Sequence, residues 1–289
     1  MSDKAKSINL EALTNKIQNS NILLKVFCTL IIIILVCIAI GKYAFKNGTL
    51  TCDHYIFNTY LYIILAILLM FLIVLLNDQF GFFNFLIKWM LSDGGFMRFI
   101  IILVIQLALI IGLTYALHTI PAQNIAASNG VWLGLVVLFG LFLIPSIYIG
   151  RMFDVVGMAG IMTVLIVIIT GLLGYYYGDS IVRFDWDYYL HILLVIMIVV
   201  VILGGLFFIR SADDSLKFLY VVSIIFLVIF ILLLLSNHKR LKENAEKCID
   251  TNGQAPNYPV ESWGLVIKIY IVFKELINIM FARKMRRMR

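Results

Sequence analysis

Long apolar runs separated by short polar stretches dominate the chain. They fall at about residues 22–40, 57–76, 99–117, 131–149, 156–175, 188–209 and 218–235. Each is close to the roughly 20 apolar residues that an α-helix needs to cross the hydrocarbon of a bilayer. Lipid offers no partner to backbone N–H and C=O groups, so runs of this kind cross it as helices. The pattern predicts an all-α polytopic transmembrane helical bundle with seven spans. An eighth apolar segment at 263–281 is different. Glu261, Lys268 and Glu275 recur seven apart and fall almost on one line of a helix, and Lys274 and Asn278 widen that face. The expectation is an amphipathic or short-spanning C-terminal helix, either packed into the bundle or lying on the membrane.

The stretches between the runs set the domain plan. Residues 1–21 form a polar N-terminal arm, with room for a short amphipathic helix over 8–17. Residues 22–235 are the seven-span bundle. Inside it, 77–98 mixes Phe80, Phe82, Phe83, Phe85, Leu86 and Trp89 with Asp78, Lys88 and Asp93, a pattern expected of a segment lying in the membrane interface. Residues 236–289 supply a polar loop, the amphipathic membrane helix and a basic tail. Tyr60 and Tyr62 suit interfacial anchors. The short connection at 150–155 predicts a tight hairpin between spans four and five. Gly157 with Gly160, and Gly174 with Gly178, are spaced so that helices could approach closely.

Composition agrees with this class. Apolar residues make up 63% of the 289 and charged residues 13%, against roughly 45–50% and 25% in soluble domains. The formal charge of +7 sits at the chain ends and in short loops, which points to topology and anionic lipid rather than nucleic acid. With eight crossings and a cytoplasmic N-terminus, fourteen Lys and Arg residues fall on the cytoplasmic side and seven on the other. That excess predicts both termini on the cytoplasmic side, with a reversed seven-span chain, fourteen inside and nine outside, as the open alternative. The first run has no small-residue cleavage site after it, so it is expected to act as its own insertion signal.

Candidate chemistry is sparse. Cys28 and Cys37 lie inside the first span, where thiols behave as small apolar groups. Cys52 and Cys248 lie in loops one and seven, on one side of the membrane in the eight-span topology. They are candidates for a disulfide, with two unrelated thiols as the open alternative. Asn47-Gly48-Thr49 is a glycosylation sequon. The four His residues are dispersed, and neither metal-ligand spacing nor a nucleophile–base arrangement occurs, so no metal, no cofactor and no enzymatic activity are expected. Charges at membrane depth usually face protein or water. Asn237, Glu261, Lys268, Lys274 and Glu275 therefore form the candidate intramembrane polar cluster.

The C-terminal unit, about 216–281, resembles the transmembrane Bax-inhibitor-motif family. In that family an apolar helix ends in Asp-Thr-Gln, a polar loop carries an Asp-Tyr or similar pair, and a last helix is built on Leu-Tyr-Leu-Asp. Here the corresponding stretches are Leu235-Ser236-Asn237-His238-Lys239, Asn257-Tyr258-Pro259 and Leu265-Val266-Ile267-Lys268. Asn237-His238-Lys239-x-Leu241, Ala245-x-x-Cys248 and Tyr258-Pro259-x-Glu261-Ser262-x-Gly264-Leu265 are similar to divergent relatives encoded by large double-stranded DNA viruses. The resemblance implies a pH-sensitive calcium gate made of two aspartates. This chain has Asn237 and Lys268 at the matching positions. An amide cannot ionise, and an ammonium repels the cation it would have to pass.

These readings lead to an expected function. The chain should be a non-enzymatic structural or assembly protein of a viral sub-capsid membrane, or of a virus-modified host endomembrane. Its partners would be the lipid bilayer and other membrane or capsid proteins. The alternative is an ion leak channel or cell-death modulator of the Bax-inhibitor type whose aspartate gate has been lost.

Overall fold

A computed structural model describes residues 22–46, 48–81, 95–181, 186–207, 212–250 and 256–288. These form eight helices and one minimal β-hairpin. The order is α1 (Ile22–Tyr43), β1 (Phe45–Lys46), β2 (Thr49–Leu50), α2 (Tyr55–Phe80), α3 (Gly95–Thr119), α4 (Ile125–Met152), α5 (Val156–Ile181), α6 (Trp186–Phe207), α7 (Ala212–Asp250) and α8 (Tyr258–Arg287). The protein is an all-α membrane bundle. Among the described residues, five helical stretches are long and apolar enough to cross a bilayer: Ile22–Tyr43, Tyr55–Phe80, Ile125–Met152, Val156–Gly178 and Leu216–Cys248. Shorter apolar stretches, Ala108–Thr119 and Ile192–Val201, lie within α3 and α6. The described residues of each of the seven predicted runs therefore lie on a helix. The N-terminal arm, Asn47 of the sequon, and 82–94 of the expected interfacial segment lie outside the described residues.

The chain forms two compact units, residues 1–42 with 64–145 and residues 43–63 with 146–289. In the first unit, α1 turns Leu23, Phe27, Ile34 and Ile38 outward, an apolar surface that suits lipid. α4 meets α2 at Gly140, where an added β-carbon would stand 2.6 Å from Ile73 Cδ1 and 3.2 Å from the Met70 Cα. Only a residue without a side chain permits that approach. Pro145 lies within α4, which runs on to Met152.

The second unit is built on α7 and α8, which pack along one another, with α5 against both and α6 against α7. Its core brings together Val155 and Ala159, Leu190 and Met197, Ile229, Phe230 and Leu233, and Val272, Leu276 and Ile277. α8 is thus a core helix of this unit: Trp263, Val266, Val272 and Ile277 are almost completely buried. At 30 residues it is about 45 Å long. Asn257 caps its start, its Oδ1 accepting from the Val260 N–H, and Pro259 follows where no intrahelical N–H is needed.

One expectation is corrected here. The sequence reading ends the seventh span at Leu235 and begins a polar loop at 236, whereas α7 continues unbroken to Asp250. The stretch 236–250 includes a run of helix formers in Lys239, Arg240, Leu241, Lys242, Glu243, Ala245, Glu246 and Lys247 and holds no Gly or Pro, so helix propensity favours continuation. His238, Leu241 and Ala245, at helical spacing, are buried on the face that continues the apolar stripe of Leu234.

Candidate functional site

The polar groups of the second unit lie along the packing of α7 with α5 and α8. On the α5 side, Gly174 and Gly178 admit α7. A β-carbon at Gly174 would stand 2.6 Å from His238 Cβ and 3.0 Å from the Leu235 carbonyl, and one at Gly178 would stand 3.0 Å from Lys239 Cβ. Gly157 and Gly160, paired with them in the sequence reading, meet nothing within 4 Å, so close approach occurs at only one of the two small-residue sites. One turn from Gly174, Gly171 faces the Tyr60 hydroxyl and His238 Nε2, which would lie 3.3 and 3.4 Å from its β-carbon. The His238 and Tyr60 rings are 6.0 Å apart. His238 is 4% exposed; its Nδ1 is 2.7 Å from the Leu234 carbonyl, and its Nε2 is buried without a hydrogen-bond partner among the described residues. The ring orientation is therefore set by its own helix, one turn back.

On the α8 side, Asn237 faces Gly264. The amide Nδ2 would lie 3.2 Å from a β-carbon there, and Lys268 Nζ donates to the Gly264 carbonyl at 3.2 Å. Asn237 and Lys268 thus each approach Gly264, one at its Cα face and the other at its carbonyl. The rest of the expected polar cluster is spread along the helix. Glu261 accepts from Asn244 Nδ2 of α7 at 2.8 Å. Glu275, 9% exposed, accepts from Asn278 on its own helix at 3.3 Å. Glu261 and Glu275 are about 21 Å apart along the axis, so the five residues do not make one cluster. Lys274 is half-buried. Residues sharing one line of a helix share a direction, not a depth.

At the far end of α7 a covalent clasp closes the unit. Cys52 and Cys248 form a disulfide with a Cα–Cα distance of 5.7 Å. Tyr258 lies beside it. Its hydroxyl donates to the Thr51 carbonyl, and its ring stacks on Tyr62 at 5.9 Å and tilts against Tyr55 at 5.4 Å. Asn58 is fully buried, and its Nδ2 reaches the carbonyls of Tyr43 and Asp53 at 3.0 Å and the Tyr258 hydroxyl at 3.3 Å. The hairpin is completed by Lys46 and Asp53, 3.3 Å apart, and the Lys46 ammonium holds the exposed Asp53 carboxyl below its ordinary value, with the Thr51 hydroxyl adding to the effect. Sequence reasoning assigned Tyr62 to an interface and did not single out Asn58, Tyr258, Asn244 or His238 as a group. Their signal was polarity inside apolar helices, which is visible only once their partners are known.

Cys28 and Cys37 are free thiols on the outward surface of α1. Among the described residues, no group of three or more His, Cys, Asp or Glu could hold a metal ion.

No curated protein matches the chain. A family model described as inhibitor of apoptosis-promoting Bax1 matches residues 52–286, from the disulfide-bonded cysteine of the hairpin to the basic end of α8. The match takes in both of the residues that approach Gly264, and with it the chain belongs to the Bax-inhibitor family of membrane proteins.

Proposed function

We propose that this protein is a non-enzymatic multi-pass modulator of cell death or membrane permeability, working without the calcium gate that two aspartates form in its family. One observation carries the reading. The two positions that would bear the gate approach Gly264 as an amide and an ammonium, Asn237 and Lys268. Two nearby carboxylates can share a proton because their mutual repulsion raises one pKa. An amide and an ammonium lack that means of switching. α7 is also fixed to the segment before α2 by the Cys52–Cys248 bond and to α5 by the tight seat of His238 on Gly174. The test is calcium entry into dye-loaded vesicles containing the reconstituted protein, from pH 6 to 8. Flux near the protein-free background at every pH is the expected outcome for the unchanged protein. A strong pH-dependent flux from the unchanged protein would count against the reading.

A second reading is a structural or assembly component of a viral sub-capsid membrane, with both termini on the cytoplasmic side. It is supported by the place of the residues similar to viral relatives. His238, Leu241, Ala245, Tyr258, Ser262 and Leu265 are buried, and Cys248 is bonded. The shared pattern is thus one of helix packing and clasping, as a scaffold requires. Peptide mass spectrometry of purified virus particles decides it: this protein should be present in stoichiometric amounts, and its absence from particles would remove the reading.

A further inference from the structure

The basic end of α8 meets the turn that joins α4 to α5. Those two helices are each long and apolar enough to cross a bilayer, so the turn between them marks a membrane–water boundary. The turn is tight: the Val155 N–H donates to the Gly150 carbonyl at 2.9 Å, and Asp154 has a φ of 51°. Three contacts fix α8 at this level. Gly150 faces Ile277, Phe153 meets Phe281 edge-on at 4.8 Å, and Lys284 Nζ donates to the Phe153 carbonyl at 2.6 Å. The last two turns of α8 therefore stand at headgroup depth. There a concavity of about 450 Å³ is lined by Met280, Arg283, Lys284, Arg287 and Met288. Arg283, Lys284 and Arg287 are exposed, and among the described residues no carboxylate pairs with Arg283 or Arg287.

We propose that this concavity is a binding site for the phosphate of an anionic phospholipid. Three features match that ligand. Guanidinium groups pair bidentately with phosphate oxygens, and Arg283 and Arg287, one helical turn apart, offer two. Met280 and Met288 give the glycerol and upper acyl carbons a flexible apolar lining. The C-terminal end of a helix gathers the basic residues here, so the site's charge is complementary to an anionic headgroup. The volume is in the range of small-molecule pockets, about 300–1,000 Å³.

The test uses the full chain in a neutral detergent, titrated with dioctanoyl phosphatidic acid while its thermal midpoint is followed. Dioctanoyl phosphatidylcholine and free glycerol phosphate serve as comparison arms. Phosphatidic acid should raise the midpoint with saturation, and the other two should not. Arg283→Gln and Arg287→Gln should each weaken the apparent affinity about fivefold, the effect of one basic group at a charged membrane surface. Arg286→Gln removes the same charge from a neighbouring position that does not line the concavity, and should stay within about twofold of the unchanged protein. Equal losses in all three variants would mean diffuse charge attraction and would overturn the site. Equal responses to phosphatidic acid and phosphatidylcholine would overturn it too. An equal response to glycerol phosphate would make it a site for soluble phosphate instead.

Discussion

Gly174 of α5 and His238 of α7 lie so close that a β-carbon on the glycine would stand 2.6 Å from the histidine Cβ. Contacts between real side chains are not that short, and the opposing atom is the stem of a residue whose ring is anchored to the Leu234 carbonyl. Gly174→Ala should therefore push the helices apart rather than shift one side chain. The expected loss is about 1–3 kcal/mol, the usual cost of overpacking. Gly157→Ala and Gly160→Ala are the matched comparison, since neither glycine has a neighbour within 4 Å. They should be neutral or gain up to about 1 kcal/mol of helix propensity. Thermal midpoints of the three variants in detergent check this; equal midpoints would refute the close approach.

The disulfide gives a second prediction. Cys52 and Cys248 are 196 residues apart in sequence and bonded, whereas Cys28 and Cys37 are free on the apolar surface of α1. In membranes, a charged, impermeant maleimide should label none of the four; after denaturation in detergent without reductant two thiols should react, and after reduction all four. Cys52→Ser should free Cys248 for labelling and lower the thermal midpoint. Native disulfides typically contribute about 2–4 kcal/mol, and a chain still held by its bilayer spans should sit at the low end. Quantitative labelling of all four thiols in untreated protein would show the clasp to be absent.

How much of this was legible in the sequence differs from element to element. Span length and apolarity are local properties, so α1 to α7 could be found without partners. The end of α7 could not. Ser236-Asn237-His238-Lys239-Arg240 interrupts the apolar run with polar residues, and that His238 is buried there shows only in its seat against Gly171 and Gly174. The glycine spacing on α5 was equally visible at both ends, yet spacing carries no information about which end meets a neighbour. On α8 the seven-residue recurrence of Glu261, Lys268 and Glu275 specified a face but not a depth, so a stripe was read as a cluster. The pairing of Cys52 with Cys248 was open in the sequence because spacing does not establish connectivity.

The hairpin yields a pH prediction. Lys46, 3.3 Å from Asp53, lowers the carboxyl pKa, and the Thr51 hydroxyl adds to this. A carboxylate with a lowered pKa contributes stability that is present above its unfolded value, near 3.8, and is lost as the pH falls through the folded value. Both side chains are exposed, so the contribution to global stability is small. The site itself should report it: the Asp53 carboxyl carbon, followed by NMR, should titrate below 3.8, and Lys46→Met should move its midpoint upward. An unchanged midpoint in Lys46→Met would show that the contact does not persist in solution.

Lys268 is the residue on which the proposed absence of a two-aspartate gate can be tested through stability alone. Its ammonium donates to the Gly264 carbonyl, beside which the Asn237 amide also lies. Lys268→Met keeps the length of the stem and removes the charge, so the neighbours lose a donor but meet no new repulsion. Lys268 is only half-buried, so its apolar replacement should cost little. Lys268→Asp places an acceptor where a donor served a carbonyl, and about 1–3 kcal/mol should be lost for the unsatisfied groups. A working two-carboxylate gate needs the opposite, a site that tolerates acid at this position. Glu275 cannot supply the missing partner, because it lies about 10 Å further along the axis and accepts from Asn278. The expected order of thermal midpoints is therefore unchanged protein, then Lys268→Met close below it, then Lys268→Asp clearly lowest at neutral pH. If Lys268→Asp is as stable as Lys268→Met, the surroundings of Gly264 already suit a carboxylate, and the gate was changed in its residues but kept in its architecture.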